Sequence, residues 1–151
     1  MLEKKGYLVI VPELPRSDFP ALNVWLATMQ AVVKEYGEGI IVGHSLGGVL
    51  AAHYLLEGGS ASKVILVGTP FTALDIIPTL DDFMIDFSSL KKLVKHEMKN
   101  TEFVVFQSTD DPYVPKSHGE KWAKLLGAKY CLTPHYGHFT AIEMPEILEH
   151  F

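Results

Sequence analysis

The chain reads as an α/β protein, a three-layer α/β/α sandwich around a mostly parallel sheet, on three observations. Short apolar runs alternate with helix-like stretches from one end to the other, without repeats or a linker. Tyr7–Val11, Val64–Val67 and Phe103–Phe106 are apolar without alternation, as strands buried on both faces are. The run Ile40–Val42 passes directly into Gly43-His44-Ser45-Leu46-Gly47 and then into an Ala-containing apolar stretch. A strand that reverses sharply into a helix needs small residues at the bend, and Gly43 and Gly47 supply them. The residue between them is lifted clear as an exposed nucleophile.

Taken in order, Tyr7–Val11 is expected as a strand stopped by Pro12, and Glu13–Pro20 as a loop. Asn23 is expected to cap a helix running to Tyr36, ended by Gly37 and Gly39. The strand Ile40–Val42 leads to the elbow and a helix from Leu46 to Glu57, stopped by Gly58 and Gly59. Lys63–Val67 is a further strand. Ser88 or Asp86 caps a helix carrying Leu90, Leu93, Val94 and Met98 on one side. Phe103–Phe106 is a strand, Lys116–Leu126 a helix closed by Gly127, and Lys129–Leu132 a shorter strand. Pro145 opens a terminal helix.

With 151 residues, nearly half of them apolar, the chain suits one domain over 1–151 with a real core. The net charge of −5 and the absence of a Lys/Arg run argue against a nucleic-acid partner. Lys91, Lys92, Lys95 and Lys99 have the spacing of a solvated helix face. The single cysteine, Cys131, excludes an internal disulfide and reads as a small buried hydrophobe in a strand. No apolar stretch is long enough to span a bilayer and Met1 opens no signal peptide, so a cytoplasmic location is expected. No His/Cys spacing suggests a metal, and no cofactor is implied.

In parallel sheets, sites form beyond the carboxyl ends of the strands. Ser45 follows one strand, Asp110 and Asp111 a second, His135 and His138 a third, all on one edge and in the order Ser, Asp, His. A serine hydroxyl needs a base within hydrogen-bond reach, a histidine can take and return the proton, and a buried carboxylate orients the imidazole. These roles fall to Ser45, His138 and Asp111. His138 is chosen over His135 because Gly137 and Phe139 flank it in a loop able to approach the elbow. Asp111 is chosen over Asp110 because Pro112 holds it extended, leaving Asp110 to brace the turn. His44 reads as a structural hydrogen-bonding residue, and His53, His96, His118 and His150 as ordinary helix or surface residues. The amide of Leu46 is the expected first donor of an oxyanion hole.

The segments GYLVIVPELP (from Gly6), IVGHSLGG (from Ile41), STDDPYVP (from Ser108) and Gly137-His138-Phe139 resemble those of small single-domain serine hydrolases. The group is the retinoblastoma-binding-protein-like and YdeN-like branch of the α/β-hydrolase superfamily, and the resemblance covers the whole chain. It implies that Ser45, Asp111 and His138 occupy triad positions, with Asp111 four residues before Pro115 as that family's pattern requires. The implied reaction is hydrolysis of a small ester, amide or thioester through an acyl-enzyme. In that family an N-terminal strand ending in a His-Gly loop lies between the strands matching Tyr7–Val11 and Ile40–Val42. Here Met1–Lys5 resembles the last turn of the helix that follows it. Without that strand the middle of the sheet is expected to open and a second oxyanion donor to be lacking, and we expect a truncated start.

Residues 68–87 occupy the place of a lid, and Phe71, Ile77 and Phe83 are candidates to line an acyl pocket or simply to pack the excursion onto the sheet. The expected partner is a small-molecule acyl substrate, with esterase favoured over peptidase. The alternative is a hydrolase scaffold that is catalytically impaired and acts as a binding or interaction module. A dehalogenase-like reading lacks the carboxylate it normally needs where Ser45 stands.

Overall fold

Strands β1 (Ile40–His44), β2 (Lys63–Val67), β3 (Glu102–Ser108) and β4 (Lys129–Thr133) grow from four of the apolar runs. In the computed structural model, which describes residues 2–74, 80, 83–86, 88–91, 100–141 and 143–151, they form one sheet in the order β1-β2-β3-β4, every pair parallel. Ile41 stands opposite Val64, Val64 opposite Phe103, and Val105 opposite Tyr130. Parallel neighbours require crossovers. Helix α2 (Leu46–Leu56) supplies the first and α3 (Lys116–Leu126) the third, while α1 (Leu22–Tyr36) precedes β1 and packs on α2.

Side chains alternate across the sheet, and both faces are covered, which is why the strands read as unbroken apolar runs. Val64, Leu66, Phe103 and Val105 pack with Trp25, Leu50, Leu55 and Trp122 from the helices. On the other face Ile65, Val67, Val104 and Phe106 pack with Phe139, Met144, Ile147 and Phe151. The layer on that second face is therefore the carboxyl-terminal segment. The terminal helix expected from Pro145 is a six-residue 3-10 helix, Pro145–His150.

Three expectations change. Tyr7–Val11 does not form a strand. Its composition suits one, but a strand exists only with a partner, and β1 pairs with β2 alone among the described residues. Leu8 and Val11 are consequently 75% and 86% exposed. Second, α1 begins at Leu22 behind Ala21, with no side-chain cap, so Asn23 lies inside the first turn. Third, His118 and His150 are buried, not surface residues. The helical residues 88–91 are capped by Asp86, whose carboxylate accepts from the hydroxyls and the amides of Ser88 and Ser89; these bonds, the Ser88 hydroxyl's first, hold its pKa well down. Leu93, Val94, Met98 and His96 lie outside the described residues. No described helix is long and apolar enough to cross a membrane.

His118 makes a pH dependence. Its Nδ1 accepts the Phe71 amide at 3.0 Å, so that nitrogen is unprotonated. Burial, and then the Lys121 charge, push its pKa below the ordinary histidine value; burial acts the same way on His150 and on His44. The unfolded chain therefore binds protons that the folded chain resists. The stabilisation is complete above about pH 6.5 and is lost as pH falls below it, by at most about 1.4 kcal/mol per pH unit for each of the buried His118 and His150, and by less for the exposed His44. We expect the melting temperature to fall between about pH 6.5 and 5, above the carboxylate range. The drop should be smaller in His118→Gln, which keeps an acceptor but does not titrate. Equal drops in both proteins would remove His118 from this account.

Candidate active site

The elbow is built by backbone constraint. Ser45 has φ +52° and ψ −123°, a conformation that costs a non-glycine residue of order 1–3 kcal/mol. It is held there from both sides: its amide donates to Val67 O at 2.9 Å, and its carbonyl accepts from Gly48 N at 3.0 Å. Of the glycines around it, Gly43 and Gly48 are the ones that packing demands. A Cβ on Gly43 would come within 2.5 Å of Gly47 O and Gly48 Cα, and one on Gly48 within 2.0 Å of Thr69 Oγ1. Gly47, expected to provide the room, has open space where its side chain would be. Leu46 is the first residue of α2, where helix amides lack an intrahelical acceptor.

Asp111 and His138 meet beyond the ends of β3 and β4. His138 Nδ1 lies 2.9 Å from Asp111 Oδ2, and the carboxylate side chain is fully buried. A carboxylate only accepts, so Nδ1 carries the proton and Nε2 is left as the basic nitrogen. Asp111 Oδ1 accepts from the amides of Tyr113 and Val114, both at 2.9 Å. Asp110 ties the two loops together: its carboxylate accepts from Ser108 Oγ and from the Gly137 amide, which lowers its pKa, the Ser108 bond most. His135, at φ +64° and exposed, makes no hydrogen bond to this cluster.

Ser45 reaches the same corner through its neighbours. His44 Nε2 donates to His138 O at 2.8 Å, and the two imidazole rings lie 4.7 Å apart. Partial burial disfavours the His44 cation, although the residue as a whole is exposed and lines a cleft. Val67, which receives the Ser45 amide, is followed by Gly68. A Cβ there would lie 3.4 Å from both Asp111 Oδ2 and His138 Nδ1. No hydrogen bond joins Ser45 Oγ to His138.

Two contributors carry little signal in the sequence. Gly68, at φ +53°, lets the end of β2 pass beneath the His138–Asp111 pair; a glycine directly after a buried strand is its trace. Gln107, fully buried in β3, donates to Val114 O at 2.9 Å and reaches Asp111 Oδ2 at 3.4 Å. A glutamine ending an apolar run two positions before Thr109-Asp110-Asp111 is the only mark of it. Of the acyl-pocket candidates, Phe71 packs edge-on against Trp122 and Phe83 against Trp25. Both are buried in the main core, and neither lines the cleft that reaches Ser45. Ile77 lies outside the described residues. Cys131 is in β4, half-buried, with burial pushing its thiol pKa up.

This parallel sheet, with its strand-to-helix elbow and its Asp and His loops at one edge, has the architecture of the α/β hydrolases. The chain matches the serine hydrolase family over residues 10–144 and belongs to it. Serine hydrolase RBBP9 of Rattus norvegicus is 27% identical over 143 residues, spanning 95% of this chain and 75% of the rat protein. The ydeN gene product of B. subtilis superposes with a TM-score of 0.86 at 23% identity, over 98% of this chain and 82% of the other. A meta-cleavage product hydrolase from Pseudomonas fluorescens IP01 gives 0.68 at 15% identity, over 91% and 72%. At these identities the two structures speak for the fold alone.

Proposed function

We propose that the protein hydrolyses small esters through an acyl-enzyme on Ser45, with His138 as general base and acid and Asp111 as its orienting carboxylate. The observation that carries this is the 2.9 Å contact between His138 Nδ1 and the buried Asp111 carboxylate, at the same sheet edge as the strained Ser45. Ser45 Oγ adds to the ester carbonyl while its proton passes to His138 Nε2. The imidazolium so formed is stabilised by Asp111, and the carbonyl oxygen, now an anion, takes a hydrogen bond from Leu46 N–H. Collapse of the intermediate expels the alcohol, which leaves with the proton from His138. Water then adds to the acyl-serine by the same route, releasing the acid and restoring Ser45. Amides and thioesters are open to the same chemistry. The reaction needs no cofactor.

A second reading, a scaffold that binds without turnover, draws on the edge of β1 that no described strand pairs, which leaves the oxyanion site with Leu46 as its identified donor. Fluorophosphonate labelling followed by intact mass separates the two. One adduct on the native chain and none on Ser45→Ala is expected. Absence of an adduct on folded native protein would reject the hydrolase reading of this chain.

A further inference from the structure

Gln107 is wholly buried near the end of β3, and its Oε1 has no hydrogen-bond partner among the described residues. A buried acceptor left unpaired opposes folding. An apolar side chain, such as those of Phe103–Phe106 before it, would leave no such atom. The orientation of the amide is not the cause. Turned over, it would set Oε1 against Val114 O and Asp111 Oδ2, both acceptors. What the residue supplies therefore lies on its nitrogen. Nε2 donates to Val114 O at 2.9 Å and, more weakly, to Asp111 Oδ2 at 3.4 Å.

These two bonds close a ring with the turn after β3. Asp111 Oδ1 accepts from Val114 N, Val114 O accepts from Gln107 Nε2, and the same nitrogen returns to Asp111 Oδ2. Tyr113 N also donates to Oδ1. The buried carboxylate cannot rotate about its Cβ–Cγ bond without giving up partners at both oxygens. Oδ2 is left facing His138 Nδ1 at 2.9 Å. The glutamine stem is fixed in its turn by α3, since a Cβ on Gly119 would come within 2.8 Å of Gln107 Cβ and 3.2 Å of its Cγ.

We propose that Gln107 is a positioning residue for the hydrolytic reaction, acting through Asp111 by fixing the rotation of its carboxylate towards His138. A neutral donor suits that task. A cation there would pair with the carboxylate and weaken its hold on the imidazolium that forms during turnover. The amide shares Oδ2 at the longer distance and leaves the shorter bond to His138. The effect on turnover rests on the hydrolase reading; the orientation of Asp111 does not. The competing role is bracing alone, for which the bond to Val114 O suffices.

Gln107→Met separates the two roles, because it keeps the length of the side chain and removes both donors. One unpaired acceptor replaces another, as Oε1 goes and Val114 O loses its donor, so a melting temperature near native is expected. With p-nitrophenyl acetate, kcat should fall about 10–100-fold with KM within about twofold, as for a catalytic group displaced by up to about 1 Å. The downfield NMR resonance of His138 Nδ1–H should move upfield or be lost to exchange. A folded variant with the native resonance would overturn the proposal, and so would one whose kcat stays within about twofold of native. A second measurement uses the native chain and holds even if the variant does not fold. The side-chain amide protons of Gln107 should shift as His138 gains its proton, because both donate to Asp111 Oδ2. Gln107 resonances unmoved through that titration would also overturn it. A native chain without turnover or fluorophosphonate adduct would reject the hydrolase reading instead, and the two NMR readings would still decide whether Gln107 orients Asp111.

Discussion

Asp111→Asn is expected to lower kcat towards p-nitrophenyl acetate by about 10⁴, with KM little changed. The size of the effect follows from which atoms change. The substituted side chain would keep an oxygen at Oδ1, so the amides of Tyr113 and Val114 retain their acceptor and the turn keeps its shape. In place of Oδ2 an acceptor becomes an NH₂ donor, facing His138 Nδ1 at 2.9 Å and Gln107 Nε2 at 3.4 Å. His138 then has to present Nδ1 as an acceptor, which moves its proton to Nε2, the nitrogen that must receive the Ser45 proton. The ring stays in place in the wrong tautomer. Loss of a buried charge-assisted hydrogen bond costs about 1.5–3 kcal/mol, so the variant should remain folded. Asp110→Asn is the matched control: it loosens the tie from Ser108 to Gly137 without touching the imidazole, and a loss below tenfold is expected. Steady-state kinetics with circular dichroism on both variants checks this. A folded Asp111→Asn within tenfold of native would remove Asp111 from the proposed role.

The sheet's four strands and the edge on which the site lies are legible in the sequence, and for a physical reason. Val64–Val67 and Phe103–Phe106 must be apolar on both faces because both faces are covered, so burial is written directly into the residue types. The same pattern misleads at Tyr7–Val11, since an apolar run records the capacity to pair and says nothing of whether a partner is present. His118 escapes sequence reasoning because helical spacing merely places it one turn before Trp122, and only the three-dimensional path of Phe71 shows that a backbone amide comes to meet its ring. Gln107 is hidden for a related reason. A buried polar side chain is justified by partners at Asp111 and Val114, which only the turn after β3 brings within reach. The Ser, Asp and His positions are legible because strand ends on one edge converge by topology alone, before any side chain is placed.

The glycines of the elbow give the other large effect, and here two residues of one motif should respond in opposite directions. Gly43→Ala puts a Cβ about as close to Gly47 O and Gly48 Cα as a covalent 1,3 distance, and both are backbone atoms of α2 that no rotamer change can move. Relief requires α2 to shift away from β1, breaking packing that includes Val49, Leu50 and Ala52 in the main core. Overpacking costs about 1–3 kcal/mol where side chains can yield, and with backbone on the other side the upper end or more is expected. For a chain of this size that lowers the melting temperature by roughly 6–12 °C, and the displaced elbow should lose fluorophosphonate labelling as well. Gly47→Ala meets nothing within 4 Å and lies in the first turn of α2. The helix gains from the substitution by up to about 1 kcal/mol, so its melting temperature should hold or rise. Equal melting temperatures for the two variants would show that α2 can move at no cost, and the account of the elbow as a rigid backbone contact would then fail.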